Sequence, residues 1–451
     1  MSTLSRRRIF TAYVGFAFLV AVISLAALPD SQLLSADSDT PATLGKELRH
    51  AVREKDFPKA SKLVAQLAEQ RTPRAFREML DHGILETVPE LEVQIREVLW
   101  KALEEARADV AKFILRQCSK SRNYRARVFL LEIIGDWPVT SATLNVLHVA
   151  VGDSRTPVAF TAIRLIRKLK QEESIAPMID HLSRLEETGR RSRLYFDIVD
   201  FLKAMTDKDL KTADDWKNWN TGGKKRAKKK RKKKRRRPRT VVKSDFFSIP
   251  VNSDRVLFVI DVSASMSVRD PEELPKKSGK TRTLTKEELE KPPEPPPLER
   301  ERLARVKKEL MAVIRSLPEK TRFSVVSFDH ETTRWGGKNS LQKAEKKTKV
   351  EAIQWVAALQ AKGATRTDRA LESGLNLSDV DTIFLLTDGR PKDVSNRNLS
   401  VEAILERTKH VNRFRCCRIN TISFSHVRDS EMRHFLTALA EQNDGRLHSL
   451  P

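Results

Sequence analysis

Cysteine is scarce in this sequence: three residues among 451, with Cys416 and Cys417 adjacent and Cys118 alone. Adjacent cysteines are poorly placed to bridge each other, because disulfide geometry is restrictive, so the folds do not rest on a disulfide framework. Short catalytic signatures are missing too. The chain has no CxxC pair, HExxH, GxSxG or phosphate-binding GxxxxGK[ST], which removes the commonest marks of zinc hydrolases, serine hydrolases and P-loop enzymes. The nine histidines are scattered singly and do not read as ligands. With no nucleophile-and-base pair in view, the chain reads as a binding protein and not as an enzyme.

What is present is enough for packed cores: 39% hydrophobic and 6% aromatic residues, although 32% are charged. A chain of 451 residues exceeds the size of one core and predicts two or three folded units. The net charge of +25 is unevenly spread. Fourteen of the sixteen residues from 224 to 239 are basic: Lys224, Lys225, Arg226, Lys228, Lys229, Lys230, Arg231, Lys232, Lys233, Lys234, Arg235, Arg236, Arg237 and Arg239. Setting those 14 aside leaves +11, so the folded parts are only moderately basic. The run cannot bury a core and repels itself, which predicts a solvated linker over 221–243. It reads equally as a plain cationic spacer or as a contact for a polyanion, either an anionic polymer or lipid headgroups.

At the other end, Arg6, Arg7 and Arg8 precede 20 uncharged residues, 9–28. That length matches a membrane span at about 1.5 Å per residue. Residues 1–36 are therefore expected to act as a membrane anchor or a cleaved signal peptide. Basic residues before the span and Asp30, Asp37 and Asp39 after it place the C-terminal body outside the cytoplasm, in a single-pass membrane protein or, after cleavage, in a secreted or periplasmic one.

Residues 43–220 read as helix after helix, with apolar residues at three- and four-residue steps and breaks at Gly, Pro or Asp. Val128, Leu131, Ile133 and Ile134 are matched by Phe160, Ile163, Leu165 and Ile166 at an offset of 32, then by Phe196, Val199, Phe201 and Leu202 about 36 later. Paired helices at this period resemble HEAT-like arrays, in which each repeat buries the apolar face of the next; an irregular helical bundle is the alternative.

From residue 244 to 451 the pattern changes to alternating strands and helices. Strands are predicted at Val256–Ile260, Phe323–Phe328, Thr382–Thr387 and Ile419–Phe424, with helices at Arg300–Leu317, Leu341–Leu359 and Val401–Val411. This order argues for an α/β, doubly wound, mostly parallel sheet, with ligands gathered beyond the carboxyl ends of the strands. Asp261 and Asp388 each follow a strand directly, so both carboxylates emerge on that one edge.

Here Asp261-Val262-Ser263-Ala264-Ser265 matches a DxSxS motif, Gly363-Ala364-Thr365 supplies a threonine loop, and Leu386-Thr387-Asp388-Gly389 a second aspartate. Together they resemble the von Willebrand factor A (VWA) family and its metal-ion-dependent adhesion site, over about 200 residues. The resemblance implies a divalent cation, Mg²⁺ (or Mn²⁺ or Ca²⁺), held by Asp261, Ser263, Ser265, Thr365 and Asp388, with a further carboxylate coming from a protein partner. Such oxygen donors suit hard cations. The structural alternative is that Asp261 and Ser263 merely cap a helix. Asp329, Asp368 and Asp393 read as surface or supporting residues. Most relatives lack the polar insertion at 267–298, rich in proline, which leaves and returns at the metal face. The expected function is metal-dependent protein–protein interaction or assembly at a membrane or cell envelope. The alternative is polyanion binding by the basic run with the VWA domain as scaffold.

Overall fold

The computed structural model describes residues 40–84, 89–105, 108–189, 191–222, 244–270, 297–377, 379–393, 395, 397–424 and 430–450. The basic run 224–239, the apolar stretch 9–28 and most of the insertion lie outside them. Among the described residues no helix is long and apolar enough to cross a membrane. The expectation of a single-pass membrane protein is corrected accordingly: each described helix carries a polar face that water or a neighbouring element satisfies, and none could exchange that face for lipid.

The N-terminal part is all helical among the described residues: α1 (Pro41–Arg53), α2 (Phe57–Glu69), α3 (Pro73–Gly83), α4 (Pro89–Glu104), α5 (Ala108–Lys120), α6 (Tyr124–Gly135), α7 (Ser141–Ala150), α8 (Thr156–Leu169), α9 (Ile175–Glu187), α10 (Arg193–Thr206) and α11 (Ala213–Asn220). Their starts are written locally. Thr40, Asp56 and Thr72 each accept a hydrogen bond from the third residue on, and a proline stands at the first or second helical position, where its missing N–H costs nothing. The repeated apolar sets predicted from the sequence fall on α6, α8 and α10, which stack in that order. Gly135 at the end of α6 lies against the Leu165 side chain of α8, and a Cβ there would collide with it. The arrangement fits an all-α repeat.

The C-terminal part holds β1 (Asp245–Phe246), β2 (Ile249–Pro250), β3 (Arg255–Asp261), α12 (Arg302–Ser316), β4 (Arg322–Phe328), β5 (Thr332–Arg334), β6 (Gln342–Lys343), α13 (Lys346–Ala357), α14 (Thr367–Leu375), β7 (Thr382–Leu386), α15 (Val401–Asn412), β8 (Arg418–Phe424), α16 (Ser430–Glu441) and β9 (Leu447–Leu450). The main sheet runs β5-β4-β3-β7-β8-β9, with β6 also on β4. β3, β4, β7, β8 and β9 are parallel, while β5 and β6 pair antiparallel with β4. Both faces are covered, as a central parallel strand requires. Along β3, Val256, Phe258 and Ile260 join the core beneath α12 and α13, while Leu257 and Val259 face α14, α15 and α16. The helix predicted from Leu341 begins only at Lys346, because Gln342 and Lys343 pair with the start of β4.

The helical part meets the sheet at the amino ends of its strands. Arg193 of α10 is buried, donates to the backbone carbonyls of Asp381 and Cys416, and pairs with Asp197. Arg418 at the start of β8 donates to Asp197 over 2.6 Å. Burial opposes the charged form of Asp197, but Arg418 and Arg193 outweigh it and hold its carboxyl below the usual carboxylate range. Arg413 bridges Glu92 and Glu132 of the array.

Candidate metal centre

Asp261 is the last residue of β3, and Asp388 follows β7, the strand paired with β3 in parallel. Parallel neighbours end on the same edge, so strand pairing alone brings together two aspartates that are distant in sequence. The turn after β3 folds back on its own aspartate: the Ser263 N–H donates to Asp261 Oδ1 over 2.8 Å. Thr387 Oγ1 donates to Asp261 Oδ2 over 2.6 Å. The Ser263 and Ser265 hydroxyls lie 3.1 Å apart, and Ser265 Oγ donates to Asp388 Oδ1 over 2.7 Å.

The third loop is knitted to the first through its backbone, with Lys362 N–H donating to Val262 O and Ala264 N–H to Gly363 O. Gly363 adopts φ +72° and has Asp329 and His330 against it, so a side chain there would be both strained and blocked. This turn brings Thr365 Oγ1 beside Gly389 and Ser265 Oγ, the two hydroxyls lying 3.2 and 3.6 Å from where a Cβ on Gly389 would stand. All five residues expected from the motifs therefore gather at one edge. Asp261, Ser263, Thr365 and Asp388 are buried, and Ser265 is half-buried. Asp368 and Asp393 are engaged elsewhere, by Arg366 and Arg397. Asp329 is buried and accepts from the Glu331 N–H.

Three participants escaped the sequence reading: Thr387, Asp270 and Arg302. Arg302 Nη1 donates to Asp388 Oδ2 over 2.8 Å, and its Nε donates to Asp270 Oδ1 over 2.9 Å. Thr387 had a signal, since it precedes the aspartate of the second motif. Arg302 had none, because the insertion separates it from the DxSxS turn.

The donor chemistry fits a hard divalent cation. Among the described residues no three His, Cys, Asp or Glu side chains cluster as a metal site; this set is two carboxylates with hydroxyls, an all-oxygen group. Burial, and then the neighbouring Asp388, push the Asp261 carboxyl up to about 7. Asp388 has Arg302 as a counter-charge, whereas among the described residues Asp261 is met by neutral donors, Ser263 and Thr387. A cation between the two carboxylates would offset both the burial of Asp261 and the repulsion from Asp388 that adds to it.

Residues 299–449 match the von Willebrand factor type A domain family. Thr365 and Asp388 lie inside that range; Asp261, Ser263 and Ser265 precede it and join the fold through β3. The human von Willebrand factor A domain-containing protein 3A is 30% identical over 148 residues, 32% of this chain and 12% of that protein. Human von Willebrand factor A domain-containing protein 3B is 28% identical over 132 residues, 29% of this chain and 9% of that protein. The chain thus spans only a small part of either relative. Among solved structures, a von Willebrand factor type A protein from Catenulispora acidiphila is 17% identical with a TM-score of 0.32, covering 45% of this chain and 40% of that one. The PilB minor pilin from Streptococcus sanguinis is 18% identical with a TM-score of 0.31, covering 45% and 58%. At these values the likeness says nothing about ligands or partners.

Proposed function

We propose that the von Willebrand factor type A domain of this chain is a binding module that takes a protein partner through a divalent cation held by Asp261, Ser263, Ser265, Thr365 and Asp388. The observation that carries this reading is the convergence of five oxygen-bearing side chains from three loops on one sheet edge. A purely structural use of Asp261 and Ser263 as a helix cap leaves the presence of Thr365 and Asp388 beside them unexplained. When bound, the cation supplies a Lewis-acidic position for a carboxylate of the partner. Asp261 and Asp388 contribute charge, and the three hydroxyls contribute neutral oxygens that leave the cation electrophilic. The helical array docks at the opposite, amino edge of the sheet and so does not itself cover the edge that carries Asp261 and Asp388, which is compatible with the same reading.

Calorimetric titration of the full chain with Mg²⁺ and Mn²⁺ tests this. Binding is expected in the wild type and is expected to be lost in Asp261→Ala and Asp388→Ala, with circular dichroism unchanged. Unaltered affinity in both variants overturns it. A partner held through the cation is expected to dissociate on addition of EDTA.

A further inference from the structure

The two ends of the insertion close on each other at the metal face. Arg302 N–H donates to Val268 O over 3.0 Å and Asp270 N–H to Arg300 O over 3.1 Å, on either side of an antiparallel bridge between Arg269 and Glu301. This neck delivers a guanidinium to Asp388. It is fastened there by Asp270, which is fully buried and is shared with Arg305 Nη1 at 3.0 Å. Phe424 packs under both guanidinium groups, at 5.3 Å from its ring centre to each.

We propose that Arg302 is a resident cation of this site that opposes the divalent ion at Asp388 and thereby sets its affinity. The inference rests on the cation reading above. Its basis is the distribution of charge. Asp261 and Asp388 together match one divalent ion, but Asp388 Oδ2 is already taken by Arg302, and Ser265 occupies Oδ1. Asp270 cannot cancel Arg302, because it also serves Arg305. A guanidinium keeps its proton at any ordinary pH, so this opposition does not titrate away. A metal ion entering the site must displace Arg302 from Asp388 or bind beside a fixed positive charge; either lowers affinity.

The test is calorimetric titration of the full chain with Mg²⁺ and Mn²⁺. Arg302→Gln is expected to bind roughly tenfold more tightly than the wild type, since a positive charge has been removed next to the ion. Arg302→Lys, which retains the charge, is expected to stay within about threefold of the wild type. A residue that only oriented Asp388 would give the opposite result, weaker binding in Arg302→Gln, and that result overturns the proposal, as does unchanged affinity. Asp388→Ala is the control: if it binds as the wild type does, the cation reading fails, whereas its loss of binding beside an unimproved Arg302→Gln sinks only the role of Arg302. If Arg302→Gln does not fold, the wild-type chain labelled with ¹⁵N-arginine decides. Saturating Mg²⁺ is expected to move the Arg302 Nε–H resonance, and a stationary signal overturns the proposal.

Discussion

Ser265 Oγ donates to Asp388 Oδ1 over 2.7 Å although 123 positions separate the two residues. That bond joins the turn after β3 to the turn after β7, and it exists because the two strands lie side by side in parallel and end together. Removing the hydroxyl therefore tests the site without taking away a charge. Ser265→Ala is expected to weaken Mg²⁺ binding by about tenfold, less than either aspartate variant, while changing stability by less than about 1 kcal/mol. Calorimetry and urea denaturation measure the two effects.

The seam between array and sheet is carried by buried charge. Arg193→Met takes the guanidinium donor from the Cys416 carbonyl, leaves the Asp381 carbonyl with the Arg418 N–H alone, and leaves Asp197 with one arginine fewer. Breaking a buried pair from one side costs roughly 3–5 kcal/mol. Urea denaturation is expected to show that loss and to separate into two transitions as the array and the sheet uncouple; an unchanged single transition refutes the role of Arg193.

Asp381 predicts a pH dependence of the opposite sense to an ordinary paired carboxylate. Its carboxyl, buried beneath the hydroxyls of Ser253 and Thr382, is pushed up to about 6, mainly by desolvation. The folded chain therefore holds this proton more tightly than the unfolded one. The protonated form stabilises fully below the ordinary carboxyl range, and the stability is lost as pH rises toward and through 6. Asp381→Asn, which stays neutral, is expected to flatten the decline between about pH 4 and 7. Denaturation midpoints measured across that range check it, and an equal slope in the variant refutes it.

Gly445 precedes β9, with the Ile419 carbonyl of β8 so close that a Cβ would overlap it. Backbone cannot swing aside as a side chain can. Gly445→Ala is expected to cost about 2–4 kcal/mol, read as a lowered Tm, because β8 and β9 must separate to admit the methyl group.

Much of the architecture was legible before folding, and the reason is local. An apolar run that ends in Asp-x-Ser-x-Ser marks a buried strand and the turn after it, because burial on both faces leaves no polar alternation in β3. The 32-residue offset between α6 and α8 is visible because each helix must bury the same face against the next. Edge elements were another matter: β5 and β6 are three and two residues long, too short for periodicity, and β6 was masked by the helical composition that follows it.

What the sequence by itself determined was the order of the oxygen-bearing residues of the three motifs, from Asp261 through Asp388, and the strands that end at the two aspartates. What only the tertiary structure decided was which charges face each other: Arg302 with Asp388, Arg193 and Arg418 with Asp197, Arg413 with Glu92. Hydrophobic periodicity is imposed residue by residue along one element. Any arginine can pair with any aspartate as far as composition goes, so an ion pair is chosen only when strand register and helix docking bring its two ends within a few ångströms, away from water.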